Sequence, residues 1–342
     1  MFQTLASGAA AGREGDLSSG GARGDALESL LARRILFVAG KGGTGKSTIA
    51  AALALIAAGS GRRVLCVDVD VKGDLARALG AEPVGFQPRL VQPGVSVLAL
   101  LPEESLSEYL RIWFKVPRVA RLTPLVRVLD FVATGVPGTR EMLTTGKIAY
   151  EERREERGRP TWDLIVVDSP ASGHLLPQLS AARSMMELTR GGIIRSQTEW
   201  VDQTLTDPRR TLLAICALPE EMPVVEAIEL HDRAQAEAHV AVGACFLNST
   251  LPVPVTPRDT GVLEALASGH AQAAAARLGG QLGPVLEGAA IARRLHDGDR
   301  RHASRLRAHM RVPVLEVPRQ VGTAPGLETT RAVAAAVGGS AV

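Results

Sequence analysis

Gly40-Lys41-Gly42-Gly43-Thr44-Gly45-Lys46-Ser47 fits two nucleotide-loop patterns at once. Read as G-x-G-x-x-G, it is a dinucleotide fingerprint; read as G-x-x-x-x-G-K-[ST], it is a P-loop. Glycine is 35 of 342 residues here, so a three-glycine pattern arises by chance ~0.3 times in such a chain. Adding a lysine and a hydroxyl residue lowers that to ~0.01, because the chain holds 5 lysines against 34 arginines. The P-loop is the far more specific match.

The chemistry agrees with the statistics. Backbone N–H groups of Gly40, Gly42, Gly43, Thr44, Gly45 and Thr48 would wrap phosphate oxygens at the start of a helix. A helix N-terminus offers only about half a positive charge, far short of a triphosphate. Lys46 supplies a full charge, and the Ser47 hydroxyl is of the kind that holds Mg²⁺. ATP and Mg²⁺ are therefore the expected ligands. The apolar run Ile35–Ala39 leads in as a strand, and Ser47 to Leu53 leads out as a helix. A carboxylate is also required near the metal, and Trp162-Asp163-Leu164-Ile165-Val166-Val167-Asp168 supplies it as Asp168, ending an apolar strand.

Outward from this loop, short β-like runs alternate with helical stretches. Strands are expected at Ile35–Ala39, Val64–Val69, Val95–Leu100, Leu164–Asp168, Thr211–Ala217, Val240–Leu247 and Val312–Val317. Their near-continuous Val, Leu and Ile content suits parallel strands covered on both faces. The pattern predicts an α/β fold, doubly wound, with a mainly parallel P-loop NTPase sheet. Residues 1–30, rich in Gly, Ala and Ser at their start, are expected to be a disordered tail, with one ATPase domain over 31–342. Two intervals, about 103–160 and 174–207, are too long for simple crossovers and predict a helical subdomain on one edge of the sheet. Residues 257–310 read as two further amphipathic helices.

Composition excludes several functions. Aromatics are 3% and the formal charge is +3, which supports neither a base-stacking platform nor a nucleic-acid surface. Cys66, Cys216 and Cys245 each lie inside an apolar run without a C-x-x-C pair, so no zinc site is expected. No apolar run is long enough to span a bilayer, and no signal peptide is evident. A cytoplasmic location is expected, with peripheral attachment to a membrane as the alternative.

The stretch K-G-G-T-G-K-S-T resembles the deviant P-loop of the signature-lysine class. Within that class the chain is similar to the arsenite-pump and guided-entry (tail-anchored protein targeting) branch. Asp168-Ser169-Pro170-Ala171-Ser172-Gly173-His174 is similar to that branch's second switch, and Pro137-Gly138-Thr139-Arg140-Glu141 looks like its P-G-x-x-E segment. Leu218-Pro219-Glu220 and Phe246-Leu247-Asn248 resemble two nucleotide-contacting strand ends. Leu143 to Ile148 looks like a segment of the paired actinobacterial anion-transporting-ATPase-like proteins. By this resemblance, Lys41 would reach across a dimer interface, Glu220 would contact nucleotide, Asn248 would bind adenine, and Pro313 would begin a second adenine loop. The resemblance also implies a homodimer, or a heterodimer with a related ATPase, and a membrane-protein client or membrane partner.

One departure stands out. The family's first switch reads D-P-A-H-S, whereas here it is Asp68-Val69-Asp70-Val71-Lys72-Gly73-Asp74. Asp70 takes the place of the water-orienting carboxylate, with Asp68 as its rival. Catalysis is expected from Asp70, Lys41 and Lys46, and metal binding from Ser47 and Asp168. Lys72, Lys147 and His174 have no assigned role at this level. The expected activity is that of a Mg-dependent dimeric ATPase switch. The alternatives are the motor of an arsenite-type anion pump and a low-turnover regulatory subunit.

Overall fold

In a computed structural model, residues 14–113, 138–189, 191–252 and 282–339 are described. In chain order, the sheet-forming core runs α1 (Glu14–Leu31), β1 (Ile35–Gly40), α2 (Lys46–Gly59), β2 (Val64–Asp68) and α3 (Asp74–Ala78). Next come β3 (Arg89–Gln92), β4 (Val95–Ala99), α4 (Pro102–Trp113) and α5 (Thr139–Arg153). A two-residue hairpin, β5 (Glu155–Glu156) and β6 (Arg159–Pro160), leads to β7 (Leu164–Ala171), α6 (Ser172–Leu188) and α7 (Gly192–Thr206). The chain then runs through β8 (Thr211–Ala217), α8 (Glu221–Arg233), β9 (Val242–Thr250), α9 (Leu282–His309), β10 (Val314–Pro318) and α10 (Leu327–Gly338).

Eight strands form one sheet in the order β10-β9-β8-β1-β7-β2-β4-β3. Every neighbouring pair is parallel except the edge pair β3–β4. This is the expected doubly wound sheet. All seven expected strands are present, with ends shifted by up to three residues. The antiparallel edge strand β3 was not foreseen, because its four residues are exposed or only partly covered and carry no apolar run.

Strand side chains alternate between two cores. Ile35, Phe37 and Ala39 of β1 face one side, together with Ile165, Val167, Leu213 and Ile215. Leu36 and Val38 face the other, with Val166, Cys66 and Ala214, beneath the Ala- and Leu-rich helix α2. Burial of both faces explains why these strands read as continuous apolar runs.

Two expectations about the periphery need correction. The tail assigned to residues 1–30 is in part a helix: Leu27, Leu30 and Leu31 of α1 are buried at i, i+3, i+4 spacing against the sheet. Gly243 of β9 makes room for it, since a Cβ there would lie 2.6 Å from a Leu30 methyl. Residues 1–13 lie outside the described residues. Within the 103–160 and 174–207 intervals, α5, α6 and α7 cover one face of the sheet rather than standing at its edge, and residues 114–137 lie outside the described residues. Ile148 of α5, Leu175 and Leu179 of α6, and Val201 and Leu205 of α7 share a single core with β1, β7 and β8. For the 257–310 interval, α9 accounts for residues 282 onward, and 253–281 lie outside the described residues.

Candidate active site

The parallel strands put their C-terminal ends on one rim, where ligands bind in open α/β sheets. Gly40 and Asp168 sit on this rim on neighbouring strands, and β2 places Asp68 directly beside Asp168. A cleft of about 840 Å³ opens there, lined by Gly42, Gly43, Gly45, Lys46, Ser47 and Thr48 on one side. Asp68, Asp70, Lys72, Asp168 and Ser169 line it as well, together with Pro325, Gly326 and Thr329.

The loop's glycines are there for stereochemical reasons. Gly40, Gly43 and Gly45 all have positive φ, at 154°, 85° and 87°. A Cβ on Gly40 would lie 2.1 Å from the Cys216 carbonyl oxygen, and one on Gly45 would lie 2.3 Å from Asn248 Nδ2. Helix α2 begins immediately after Gly45, with no side-chain cap and no acidic residue in its first turn. Its first amides are therefore free to meet an anion.

Thr44 is the loop's buried anchor: its hydroxyl donates to the Lys41 carbonyl at 2.9 Å. The Thr44 carbonyl accepts from Asn248 Nδ2 at 2.9 Å and from the Cys216 thiol at 3.1 Å. Lys46 Nζ folds back onto the Lys41 carbonyl at 3.3 Å. Lys41 points away from the cleft to Glu226 on α8, with Nζ 2.6 Å from Oε1.

The carboxylates divide into three environments. Asp168 is buried, and burial pushes its carboxyl up to about 7, held down by the Ser47 hydroxyl and the Lys46 charge and raised further by Asp68 and Asp70. Its Oδ1 is a buried acceptor with no hydrogen-bond partner. Asp68 is also buried, and its carboxyl is raised mainly by desolvation. It accepts the Val71 amide at 2.9 Å and the Gly73 amide at 3.1 Å, clamping the turn that follows β2. Val71 in that turn has φ 57°, a strained left-handed conformation for a β-branched residue. Asp70 stands in the cleft and pairs with Lys72 at 3.1 Å.

A buried carboxylate with an unmatched oxygen, beside a hydroxyl and at the mouth of an anion-binding loop, suits a hard divalent cation. The donors present thus fit Mg²⁺, which Ser47 and Asp168 would hold.

The residues expected from sequence are not all brought together. Gly42, Gly43, Gly45, Lys46, Ser47, Thr48, Asp70 and Asp168 converge on the cleft, whereas Gly40, Lys41 and the buried Thr44 do not line it. Glu220 precedes α8, and Asn248 lies behind the loop; neither lines the cleft. Pro313 is misplaced. It precedes β10, its carbonyl accepts from Cys245 N, and it therefore belongs to the N-terminal edge of the sheet. On the site side, β10 ends at Pro318, and the loop to α10 delivers Pro325 and Gly326 to the cleft instead. The family resemblance pointed to the proline before the strand, but parallel strands present only their C-terminal ends on this rim. His174 is exposed near the start of α6. Lys147 is buried between Glu108 at 2.5 Å and Glu151 at 2.8 Å, over the Phe86 ring, which makes it part of the helical layer's packing. Glu226 and Arg77 were not foreseen; both follow from helix positions that only the fold brings to the loop.

The profile of the anion-transporting ATPase family matches residues 33–191, which span the loop, Asp68–Asp74, Asp168–His174 and α5. ATPase BagA of Mycobacterium tuberculosis is 33% identical over 269 residues, covering 77% of each chain. This chain belongs to the anion-transporting ATPase family. It is an ATPase. The arsenical pump-driving ATPase of Escherichia coli is 27% identical over 248 residues, 66% of this chain and 40% of that one. ATPase get3 of Schizosaccharomyces japonicus is 30% identical over 156 residues, covering 44% of this chain and 45% of its own. Among the described residues, no helix is long and apolar enough to cross a membrane.

Proposed function

We propose that the protein is a Mg²⁺- and ATP-dependent dimeric switch that couples its nucleotide state to a client or partner at the helical layer α4–α7. The observation that carries the nucleotide part is Asp168: a buried carboxylate whose unmatched Oδ1 adjoins Ser47 and Lys46 at the mouth of the P-loop. In the bound state the loop amides and Lys46 would hold the phosphates, and Ser47 and Asp168 would hold the metal. The metal would neutralise charge on the phosphate oxygens. Asp70 would orient the attacking water, and Lys41 would act on the nucleotide of a second subunit.

The coupling follows from connectivity. Asp70, Lys72 and Asp74 of one turn and Ser169 and Ala171 of another line the cleft, where they would flank the γ-phosphate, and the second turn runs directly into α6. A shift there would pass into the helical layer through a shared core, in the manner of a γ-phosphate switch.

A second reading, a low-turnover subunit beside a related ATPase, is supported by Lys72, which pairs with Asp70 in the cleft. The anion-pump reading has less support. The three thiols are buried in three different strands, and burial raises each thiol's pKa, against thiolate coordination.

Calorimetry with ATP, with and without Mg²⁺, tests the site; no magnesium-dependent binding by the folded protein would overturn the proposal. Native mass spectrometry with ATP distinguishes a homodimer from a monomer awaiting another chain. A pull-down comparing wild type with Asp70→Asn, with and without ATP, tests whether a client is held in a nucleotide-dependent way.

A further inference from the structure

We propose that Lys147 is a positioning residue that joins the cleft to helix α4, and that its ion pair with Glu108 is a joint that opens when nucleotide moves the segment Gly80–Phe86. The proposal deepens the coupling reading and rests on it.

Lys147 is buried on α5, with Nζ 2.5 Å from Glu108 Oε2 on α4 and 2.8 Å from Glu151 Oε1 on its own helix. The rings of Phe86 and Tyr150 complete its surround, with centroids 4.7 Å and 5.4 Å from the ammonium, within cation–π range. Phe86 is the link to the cleft. Gly80, Ala81 and Glu82 line that cleft, and the chain reaches Phe86 four residues later. The Gly85 carbonyl accepts from the Ala99 amide at 2.9 Å, and the Leu100 amide donates to the Asp68 carbonyl at 2.9 Å. The end of β4 is therefore tied both to the cleft-side segment and to the first switch, and it runs straight into α4 at Pro102.

The joint is fixed on one side and releasable on the other. Breaking a buried ion pair is costly when it strands one of the charges. Here no charge is stranded when α4 leaves. Lys147 keeps Glu151, which also accepts from Trp162 Nε1 at 3.0 Å and lies 3.5 Å from Arg154. Glu108 is the less buried carboxylate and retains Arg111 at 3.7 Å. Helix α4 itself is lightly held. Among its described side chains Leu106 is the one buried apolar group, and Tyr109 donates to Gln197 of α7 at 2.7 Å. Drawing the Phe86 ring off Lys147 would admit water to the pair and weaken it, because attraction between charges falls as the local dielectric rises.

Hydrogen exchange over residues 103–112 of α4 tests the joint in wild type, Glu108→Gln, Lys147→Met and Trp162→Phe, each with and without Mg-ATP. In wild type, Mg-ATP should quicken this exchange at least about tenfold, the scale of one charged hydrogen bond. Glu108→Gln should exchange that fast without nucleotide and gain little more from it, with Mg-ATP affinity within a few-fold of wild type. Lys147→Met should do the same. If it fails to fold, Glu108→Gln still decides, since the Lys147–Glu151 pair stays in place. Trp162→Phe loosens only the fixed side and should keep the wild-type response. An α4 that ignores Mg-ATP in wild type, or a full response retained in Glu108→Gln, overturns the proposal. Loss of the response in Trp162→Phe as well would mark a merely structural cluster and overturn it too. Calorimetry on the same samples keeps the two readings apart. Wild type without Mg-ATP affinity defeats the proposed function, whereas equal α4 exchange in nucleotide-free wild type and Glu108→Gln defeats the joint.

Discussion

Lys41 Nζ lies 2.6 Å from Glu226 Oε1, so the loop's extra lysine is tied to helix α8 of its own chain. To act on a second subunit's nucleotide it must leave this partner. The pair is part-exposed, so breaking it costs little, well within reach of the charge on a triphosphate. Lys41→Ala should lower kcat at least about a hundredfold, the scale of a lost trans-acting cation, with ATP affinity changed only a few-fold. Glu226→Gln should lower the ATP concentration needed for half-maximal dimer in sedimentation. Equal turnover in Lys41→Ala would refute the trans role.

The first switch offers a sharper contrast. Asp68 spends both oxygens on the Val71 and Gly73 amides, whereas Asp70 faces the cleft with Lys72 on it. Asp70→Asn should therefore leave the melting temperature near wild type and abolish steady-state hydrolysis, with ATP retained on the protein. Asp68→Asn turns an amide nitrogen towards an N–H donor and should lower stability by about 1–3 kcal/mol. If Asp68→Asn alone traps ATP, the water-orienting role belongs to Asp68. Lys72→Ala should raise kcat if the ammonium restrains Asp70; a fall in kcat would mean that Lys72 contacts phosphate.

Much of this site was legible in advance because its chemistry is local. Residues 40–48 are contiguous, and a P-loop needs its glycines, lysine and hydroxyl at fixed spacing, so the sequence displays them together. Asp168 was legible because the strand before it is a fully buried apolar run. What was missed depends on long-range packing. Glu226 reaches Lys41 from 185 residues away, and nothing in the spacing of α8 marks it. Pro313 was misplaced because strand direction in the sheet, not proximity in sequence, determines which end meets the cleft. The α1 helix was hidden by a Gly- and Ser-rich start, although Leu27, Leu30 and Leu31 carried the helical period.

The end of β1 predicts a strict requirement for glycine. A methyl group on Gly40 would sit 2.1 Å from backbone oxygen of β8, and backbone cannot swing aside as a side chain can. Gly40→Ala should lower the melting temperature markedly and remove ATP binding. Gly42→Ala is the control, since nothing lies within 4 Å of a Cβ there. Its melting temperature should match wild type. Similar melting for the two variants would contradict the geometry.

Asp168 makes stability depend on pH in a direction opposite to most carboxylates. Its folded value, about 7, lies above the ordinary 3.8, so between these values the folded state binds more protons than the unfolded chain. Stability from this group is therefore greatest at low pH and falls as pH rises through 7. The full effect is on the order of 4 kcal/mol as an upper bound. In nucleotide-free protein without magnesium, the melting temperature of wild type relative to Asp168→Asn should drop between pH 5 and pH 8. Histidines titrate in both proteins and cancel in that difference. Mg-ATP should restore wild type at pH 8 by favouring the ionised carboxylate, and should do much less for Asp168→Asn. A difference that stays flat from pH 5 to pH 8 would show that the carboxylate is already solvated or paired, and the case for a metal at this position would lose its main physical support.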